Sequence, residues 1–221
     1  MENILITGAN KGIGLELVKK HMKRGDKVYA LCRTPSDELT QSGAQVISNI
    51  NFLKDDFELL LSKQIENVRL DRVIANAGIW KVDTFESFRM ESIRQHFEVN
   101  TLAPLRLIKC LEKQLKTGSK IILISTRVAS LMDNSSGNEF GYRMSKTALN
   151  MAGVNLAHAL KAREITVFML HPGFVKTDLT KGDGLIDASV SAENIVNLSD
   201  ELRLKNSGSF WHAIEKKQLP W

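Results

Sequence analysis

Tyr142 and Lys146 lie four positions apart at the start of a segment that predicts a long helix. Side chains at that spacing share one face of a helix, one turn apart. A phenol has an ordinary pKa of about 10, too high for ready proton transfer at neutral pH. An ammonium about 4 Å away would favour the phenolate by about 4 kcal/mol at an effective dielectric constant of about 20. The pair therefore predicts a tyrosine with a pKa lowered toward neutrality, although an isolated pair of this kind is also common on protein surfaces.

A glycine-rich turn follows the first strand-like run, Asn3 to Thr7. Gly8, Gly12 and Gly14 precede an amphipathic helix that stops at Gly25. Glycines allow the backbone to approach a pyrophosphate, which binds at the positive end of a helix. The spacing is G-x-x-x-G-x-G and differs from the G-x-G-x-x-G fingerprint. Alone, this loop is also compatible with a simple strand-to-helix turn.

The end of the second predicted strand, residues 27–32, bears on the choice of cofactor. NAD-binding units usually carry an acidic residue there, which binds the adenosine ribose. Here Cys32 and Arg33 occupy that place, and Lys11 lies in the neighbouring loop. Because two cations can pair with a 2′-phosphate, the sequence favours NADP(H) over NAD(H). The alternatives are that both charges are merely solvated, or that Asp37 and Glu38 weaken the preference for NADP(H).

Composition excludes several other classes of protein. The chain has 221 residues and 24.7 kDa, which suits one α/β domain over residues 1–221. Its charge of +5 is spread without a basic run, so nucleic-acid binding is not expected. Two distant cysteines and unpaired histidines predict neither disulfide nor metal site. We expect a cytoplasmic protein without signal peptide or membrane span.

Strand and helix patterns alternate along the chain, which predicts a Rossmann-type, doubly wound, mostly parallel sheet of about seven strands in a three-layer α/β/α architecture. A mobile flap is expected at residues 180–191. The predicted strands cover residues 3–7, 27–32, 45–48, 70–75, 119–125, 165–170 and 209–212. Besides the helix after the glycine turn, the predicted helices cover residues 52–64, 85–100, 101–116, 142–163 and 192–204.

The polar candidates all fall where predicted strands end or helices begin. In a parallel sheet those positions meet at one edge, where open α/β sheets bind cofactors. Their convergence strengthens the chemical interpretation of the tyrosine–lysine pair. The candidates are Gly8 to Gly14, Arg33, Asn76 to Gly78, Thr126 and Tyr142.

On these motifs the chain resembles the short-chain dehydrogenase/reductase family over essentially its whole length. The compact length, the region Thr126 to Ser130 and the ending Leu219-Pro220-Trp221 resemble its C-factor-like, sniffer-type carbonyl reductase branch. The segment Thr7-Gly8-Ala9-Asn10-Lys11-Gly12-Ile13-Gly14 is similar to the family's cofactor loop, and Asn76-Ala77-Gly78 is similar to its N-A-G element. The segment Tyr142-Arg143-Met144-Ser145-Lys146 is similar to the active-site motif, and Pro172-Gly173-Phe174-Val175-Lys176-Thr177 to the P-G…T segment.

The resemblance implies NAD(P) binding and carbonyl/alcohol interconversion. Tyr142 would donate a proton to the carbonyl oxygen as hydride arrives from the nicotinamide. Lys146 would lower the pKa of the phenol and hold the nicotinamide ribose, and Asn100 would anchor a water that links Lys146 to solvent. The remaining implied cofactor contacts are Lys11 and Arg33 with the 2′-phosphate, Asn49 and Ile50 with adenine, and Val175 and Thr177 with the carboxamide.

Three positions depart from the family pattern. Thr126 stands at the usual serine position, where its hydroxyl can still donate to an oxyanion, although its stiffer side chain can narrow the pocket. Ser125, its neighbour on a strand, would point to the opposite face. Asn49 replaces the usual aspartate, and Ala75 replaces the first asparagine of N-N-A-G.

The leading hypothesis is an NADPH-dependent carbonyl reductase that uses Tyr142, Lys146, Thr126 and Asn100. The departures motivate an alternative, an NADP(H)-binding regulatory or signalling protein with weak or vestigial catalysis. The expected partner is a small carbonyl or alcohol, with neither nucleic acid nor membrane. A homodimer or homotetramer is expected only by analogy with the family.

Overall fold

Short apolar runs form the strands, because buried parallel strands have both faces covered and need no polar alternation. The computed structural model describes residues 1–54 and 56–221. Its strands are β1 (Asn3–Thr7), β2 (Lys27–Leu31), β3 (Gln45–Ile47), β4 (Leu70–Ala75), β5 (Leu115–Ile124), β6 (Thr166–His171), β7 (Val175–Lys176), β8 (Ile186–Asp187), β9 (Ser209–His212) and β10 (Lys217–Gln218).

Helices connect most of these strands. The α-helices are α1 (Gly12–Lys23), α2 (Asp37–Thr40), α3 (Phe57–Ile65), α4 (Met90–Phe97), α5 (Ala103–Cys110), α6 (Phe140–Leu160) and α7 (Ala188–Glu201). A π-helical turn (Glu98–Leu102) joins α4 to α5, and short 3₁₀ turns lie at Arg127–Ala129, Lys161–Arg163, Asp178–Thr180 and Leu204–Asn206.

The main sheet has the order β10-β9-β6-β5-β4-β1-β2-β3 in the described part of the chain. All its neighbouring pairs are parallel except β10 with β9. The chain moves outward from β1 to β3 on one side and from β4 to β6 on the other. The crevice at the carboxyl ends of β1 and β4 is therefore the switch point where such sheets bind ligands.

Two apolar cores cover the two faces of the sheet, which confirms the three-layer Rossmann-type α/β fold. On one face α3, α5 and α6 contribute residues such as Phe57, Leu107 and Leu149. On the other face α1, α2 and α7 contribute Leu17, Leu39 and further apolar residues. The sheet is thus packed on both faces, which fixes the position of its carboxyl edge.

The structure confirms the mostly parallel sheet and adds one short edge strand to the seven predicted. In residues 1–54 and 56–221 the main sheet has eight strands, because the two-residue strand β10 pairs antiparallel with β9. The predicted flap is also more ordered than expected, since β8 pairs with β7 and α7 begins at Ala188. Two-residue strands carry too little periodicity to be found from sequence.

Two predicted helices begin later than their apolar periodicity indicated. Before α3, the Asn51 side chain accepts a hydrogen bond from the Leu53 N–H at 3.1 Å and holds a turn. Before α4, the Ser87 hydroxyl accepts from the Thr84 N–H at 2.9 Å. Such local side-chain bonds compete with the helix. A third helix ends earlier than predicted: α5 was expected to reach residue 116 but stops at Cys110, and β5 begins at Leu115.

Within residues 1–54 and 56–221, none of the helices combines the length and apolar character needed to cross a membrane.

The contact between α6 and the sheet generates a prediction at Gly153. A Cβ at this position would lie 2.2 Å from Met169 Sδ and 3.1 Å from Leu123 Cδ1. Gly153→Ala gains up to about 1 kcal/mol in helix propensity, but overpacking costs about 1–3 kcal/mol. We expect a net loss in the free energy of unfolding, measured in urea.

The matched control is Met151→Ala on the same helix, whose side chain is 63% exposed. It should change the free energy of unfolding by less than about 0.5 kcal/mol. Equal or greater stability of Gly153→Ala would contradict the close approach of α6 to β5 and β6.

Candidate active site

The glycine turn after β1 brings the backbone into very close contact with itself. Gly8 and Gly12 have φ values of +64° and +55°, a region that favours glycine. A Cβ on Gly14 would lie 2.1 Å from the Gly8 carbonyl oxygen. Helix α1 begins at Gly12 with no side-chain cap and no acidic residue in its first turn. Its first N–H groups and positive end therefore fit a phosphate-bearing cofactor.

A hydroxyl overlooked in the sequence analysis ties this turn to the end of β4. Thr7 Oγ1 accepts hydrogen bonds from the N–H groups of Asn76 and Ala77, both at 3.0 Å. In return, Asn76 Nδ2 donates to the carbonyl of Thr7 at 3.0 Å and to that of Gly8 at 3.3 Å. The predicted asparagine–alanine–glycine element thus lies beside the glycine turn, as its position at a strand end required.

Asn10 and Ile13 hold the same loop from two further directions. The Ser36 hydroxyl donates to the Asn10 carbonyl at 2.7 Å, which joins the loop to the segment after β2. Ile13 is partly buried against the core that α1 covers. These contacts assign a supporting role to both residues within the loop.

The ends of β2 and β3 bring Arg33, Asn49 and Ile50 together. The Asn49 N–H donates to the Arg33 carbonyl and the Ile50 N–H to the Cys32 carbonyl, both at 3.0 Å. Asn49 has a φ of +63°, a conformation that asparagine tolerates well. The Arg33 side chain is exposed, and its guanidinium pairs with no acid among the described residues. It is therefore available to an anionic ligand.

Lys11, the second predicted phosphate ligand, already has a partner. Its Nζ lies 2.8 Å from Asp178 Oδ2, and the two side chains are 63% and 75% exposed. The ammonium holds the pKa of Asp178 below its usual range. Exposed ion pairs of this kind are weak. A phosphate can therefore displace the aspartate.

Lys146 is almost completely buried, with 4% of its surface exposed. Its Nζ donates to the carbonyl of Ile124, the last residue of β5, at 2.7 Å. A Cβ on Gly78 would lie 3.2 Å from Asn100 Oδ1 and 3.6 Å from Lys146 Nζ. Gly78 thus lets the amide and the ammonium meet at the end of β4. Burial lowers the pKa of Lys146 to about 8, because desolvation disfavours its charged form.

Asn100 is fully buried within the π-helical turn and clamps the chain after Gly78. Its Oδ1 accepts from the Ile79 N–H at 2.8 Å, and its Nδ2 donates to the Ile79 carbonyl at 3.0 Å. The same Nδ2 donates to the Ser145 hydroxyl at 3.0 Å, on the helix that carries Tyr142. Asn100 therefore links β4, the π-helical turn and α6.

Tyr142 is partly buried between the Trp80 ring, 5.8 Å away, and the His96 ring, 6.4 Å away. Its pKa is raised to about 12, mainly because burial disfavours the phenolate; the Thr126 hydroxyl lowers the pKa and the Glu139 carboxylate raises it. The sequence predicted the opposite net direction, with Lys146 lowering the pKa. That prediction was wrong for this structure, because desolvation of the phenolate outweighs the lowering by the Thr126 hydroxyl.

Thr126 and Ser125 point in different directions at the end of β5. The Ser125 hydroxyl donates to Asn150 Oδ1 at 2.7 Å in the buried interior. Thr126 interacts instead with the phenol of Tyr142. Of the two hydroxyls, only that of Thr126 is therefore placed beside the phenol.

The segment after β6 faces the glycine turn across the crevice. Gly173 has a φ of +91°, and the Pro172 carbonyl accepts from the Ser191 hydroxyl at 2.8 Å. Val175 is buried in β7. A Cβ on Gly12 would lie 3.2 Å from Thr177 Cγ2. The structure therefore places Thr177 beside the glycine loop that the sequence predicted to bind the cofactor.

Three supporting side chains were absent from the predicted site. Thr7 and Ser145 stand inside the quoted motifs, which were the available signal. Asp83 had no local signal, because its Oδ1 accepts from the Phe140 N–H at 2.7 Å across 57 positions of sequence. This carboxylate lies at the N-terminus of α6, where negative charge is favourable.

Comparison with known proteins supports the interpretation of these motifs. The family described as short chain dehydrogenase matches residues 2–184. The chain is 35% identical over 219 residues to 1-hydroxy-2-glutathionyl-2-methyl-3-butene dehydrogenase from Rhodococcus sp. (strain AD45), covering 96% of this chain and 97% of that relative. It is 32% identical over 127 residues to the C-signal of Myxococcus xanthus, covering 57% of this chain and 76% of that relative.

Two solved structures are similar to this protein over its full length. The carbonyl reductase sniffer of D. melanogaster is 29% identical with a TM-score of 0.88, and both chains are covered completely. A carbonyl reductase from Pseudomonas aeruginosa PAO1 in complex with NADP is 28% identical with a TM-score of 0.82, again with complete coverage of both chains.

The doubly used Thr7 hydroxyl generates a second prediction. Thr7→Val keeps the shape of the side chain but leaves the Ala77 N–H without its acceptor, while the Asn76 N–H keeps only the Ile74 carbonyl at 3.1 Å. Both donors are partly buried, so the free energy of unfolding should fall by about 1 kcal/mol.

Thr7→Ser is the matched control, because it retains the acceptor oxygen and loses only a methyl group. Urea unfolding should place it closer to the wild type than Thr7→Val. If the two variants are equally stable, the hydroxyl does not tie β1 to the end of β4.

Proposed function

Because the chain belongs to the short-chain dehydrogenase/reductase family, in its C-factor-like, sniffer-type branch, we propose that this oxidoreductase interconverts a carbonyl and an alcohol with NADP(H). Carbonyl reductases among the structural relatives support the reaction. The single observation that carries the proposal is the grouping of two contacts at the ends of β4 and β5: Thr126 interacts with the Tyr142 phenol, and Lys146 bonds Ile124 and lies with Asn100 around Gly78. The uncapped start of α1 lies at the same edge of the sheet.

The residues of the crevice suit a nicotinamide dinucleotide. The glycine turn and the start of α1 would hold the pyrophosphate, and Asn49 with Ile50 would contact the adenine. Lys146 would hold the nicotinamide ribose, and Val175 with Thr177 the carboxamide. Such a cofactor supplies the hydride when bound, so the protein must supply orientation and a proton.

Tyr142 is the proposed proton donor. With a pKa of about 12 the phenol is protonated at neutral pH, as reduction of a carbonyl requires. Thr126 interacts with the same phenol and would donate to the carbonyl oxygen as negative charge develops on it. The Lys146 ammonium, fixed by Ile124, would favour the phenolate that remains, and Asn100 would connect Lys146 to solvent through a water.

Arg33 and Lys11 would select NADP(H) by binding the 2′-phosphate. A guanidinium pairs with phosphate through two parallel hydrogen bonds, which adds geometric specificity to the charge. Arg33 is exposed and Lys11 is held only by a weak surface pair, so both are available.

We further propose that residues 1–221 act as one domain on a small-molecule substrate in the cytoplasm, as a homodimer or homotetramer without nucleic-acid or membrane partners.

A second candidate function is an NADP(H)-binding signalling protein with weak catalysis. The similarity to the C-signal of Myxococcus xanthus favours it, as does the raised pKa of the phenol, which slows any step that needs a phenolate. This candidate predicts tight cofactor binding without turnover.

The first functional test is Tyr142→Phe. Purified protein should oxidise NADPH with at least one compound of a broad panel of activated aldehydes and ketones. Removal of the proton donor should lower kcat by about 10²-fold or more. Steady-state absorbance of NADPH measures the rate.

Tyr29, the other tyrosine of the chain, provides the control, because it lies buried in β2 away from the site. Tyr29→Phe should keep the activity. A wild type no faster than Tyr142→Phe on every compound would instead favour the signalling candidate.

The cofactor preference is tested by thermal unfolding. A ligand at 100 times its Kd stabilises a protein by about 2.7 kcal/mol, enough for a visible rise in Tm. NADP⁺ should raise Tm at lower concentration than NAD⁺. Arg33→Ala should weaken the affinity for NADP⁺ by about tenfold, which is the effect of one charged hydrogen bond. It should leave the affinity for NAD⁺ nearly unchanged.

Arg94→Ala, at an exposed arginine on α4, is the matched control and should retain the preference. Equal responses to the two cofactors in the wild type would remove the assigned role of Arg33 and Lys11.

A further inference from the structure

The backbone just before α6 has an unusual conformation. Gly137, Asn138 and Glu139 have φ values of +62°, +56° and +51°, three left-handed residues in succession. L-residues adopt this region at a cost and as single residues rather than runs. Asp83 holds the end of the turn, because its carbonyl accepts from the Glu139 N–H at 2.9 Å and its Oδ1 from the Phe140 N–H at 2.7 Å. The turn thus fixes the backbone three positions before Tyr142.

This backbone aims the Glu139 side chain at the Trp80 indole. Glu139 Oε1 accepts from Trp80 Nε1–H at 2.9 Å. Its other oxygen lies 3.6 Å from Arg143 Nε, and only 18% of the glutamate side chain is exposed. Arg143 is held in turn by Asn134 Oδ1 at 3.0 Å and Ser136 Oγ at 2.8 Å. The carboxylate is therefore fixed on both sides.

The indole that Glu139 holds lies against the reactive phenol. The rings of Trp80 and Tyr142 are 5.8 Å apart and tilted by 39°. The chain just before Trp80 is clamped as well, because Asn100 bonds both the N–H and the carbonyl of Ile79. The backbone before Trp80 and its side chain are thus both fixed, and the bond to Glu139 satisfies the single N–H donor of the indole.

We propose that Glu139 is a positioning residue for Tyr142: its carboxylate locks the Trp80 indole as one wall of the substrate pocket and places a negative charge beside the phenol. This inference rests on the proposed function, since a pocket wall matters only if a substrate binds beside Tyr142. It adds a residue that acts through Trp80 and through its charge.

The charge of Glu139 acts on a phenol with few charged neighbours. Its carboxylate raises the pKa of Tyr142. Lys146 lies on the same helix, and Thr126 interacts with the phenol from β5. From α4, His96 faces the ring as a neutral imidazole, because burial lowers its pKa and Nε2 accepts from the Lys81 N–H at 3.0 Å. Arg143 offsets part of the glutamate charge, and Asp83 acts on His96.

Two substitutions separate the indole bond from the charge. Glu139→Gln keeps an oxygen acceptor for Trp80 and removes the charge, whereas Glu139→Ala removes both. Loss of one hydrogen bond changes the population of the docked indole by about 2- to 10-fold. A Trp211→Phe/Trp221→Phe background leaves Trp80 as the single tryptophan. In the cofactor-free protein, acrylamide quenching of its fluorescence should rise in Glu139→Ala and stay near the parent value in Glu139→Gln.

Kinetics provide a second signature. The indole wall contacts substrate before and during the reaction, so its loss in Glu139→Ala should raise KM for the carbonyl by about 2- to 10-fold with a smaller change in kcat. Alcohol oxidation requires the phenolate, and both variants remove the negative charge that raises the pKa of Tyr142. The pH profile of kcat/KM for oxidation should therefore move to lower pH by up to about one unit in both variants. A purely structural role would not produce a pH shift in Glu139→Gln.

Equal quenching of the Trp211→Phe/Trp221→Phe parent and of its Glu139→Gln and Glu139→Ala derivatives would overturn the lock on Trp80. An unchanged pH profile in both variants would overturn the charge effect, and a Glu139→Gln variant as impaired in KM as Glu139→Ala would refute the role of the acceptor oxygen. Failure of the proposed function is distinguishable, because the wild type would then reduce no carbonyl while the quenching experiment still reports on Trp80.

Discussion

The burial of the Lys146 ammonium is the interaction on which the arrangement of this site depends. A charge with 4% of its residue exposed requires a fixed acceptor, and the Ile124 carbonyl supplies one at 2.7 Å. That bond joins α6 to the end of β5. The absence of a side chain at Gly78 brings the Asn100 amide to the same place from the π-helical turn. Groups from elements distant in sequence thus lie around one desolvated ammonium.

Desolvation shifts the pKa values of Tyr142 and Lys146 in opposite directions. It raises the pKa of Tyr142 to about 12 and lowers that of Lys146 to about 8, since burial favours the neutral form of each. Near neutral pH the site therefore holds a protonated phenol and a largely charged ammonium, while above about pH 8 the lysine loses its proton. A donor of protons is thus ready at neutral pH, and a proton acceptor becomes available only as the pH rises.

Much of the fold could be predicted because its signals are local. The periodicity of β1, β4 and β9 gave their bounds correctly, and the glycine turn marked the start of α1. Strand β10 and the β7–β8 pair were missed, because two residues carry no period and form only when a neighbouring strand is present. The late starts of α3 and α4 depend on Asn51 and Ser87, whose side chains satisfy turns instead of helix.

The site likewise has features that the sequence could predict and features that only the fold creates. Tyr142, Lys146 and Asn100 were recognisable from spacing and motif, whereas the direction of the tyrosine pKa depended on burial, which no spacing encodes. Asn100 is a stronger case: the sequence allowed a cap or a kink, but in the structure its side-chain amide bonds Ile79 and Ser145. A π-helical turn repositions side chains relative to a regular helix, and it does so here for a residue that must face two elements at once. The sequence could therefore name the candidate residues, while their environment arises from contacts that only the folded chain makes.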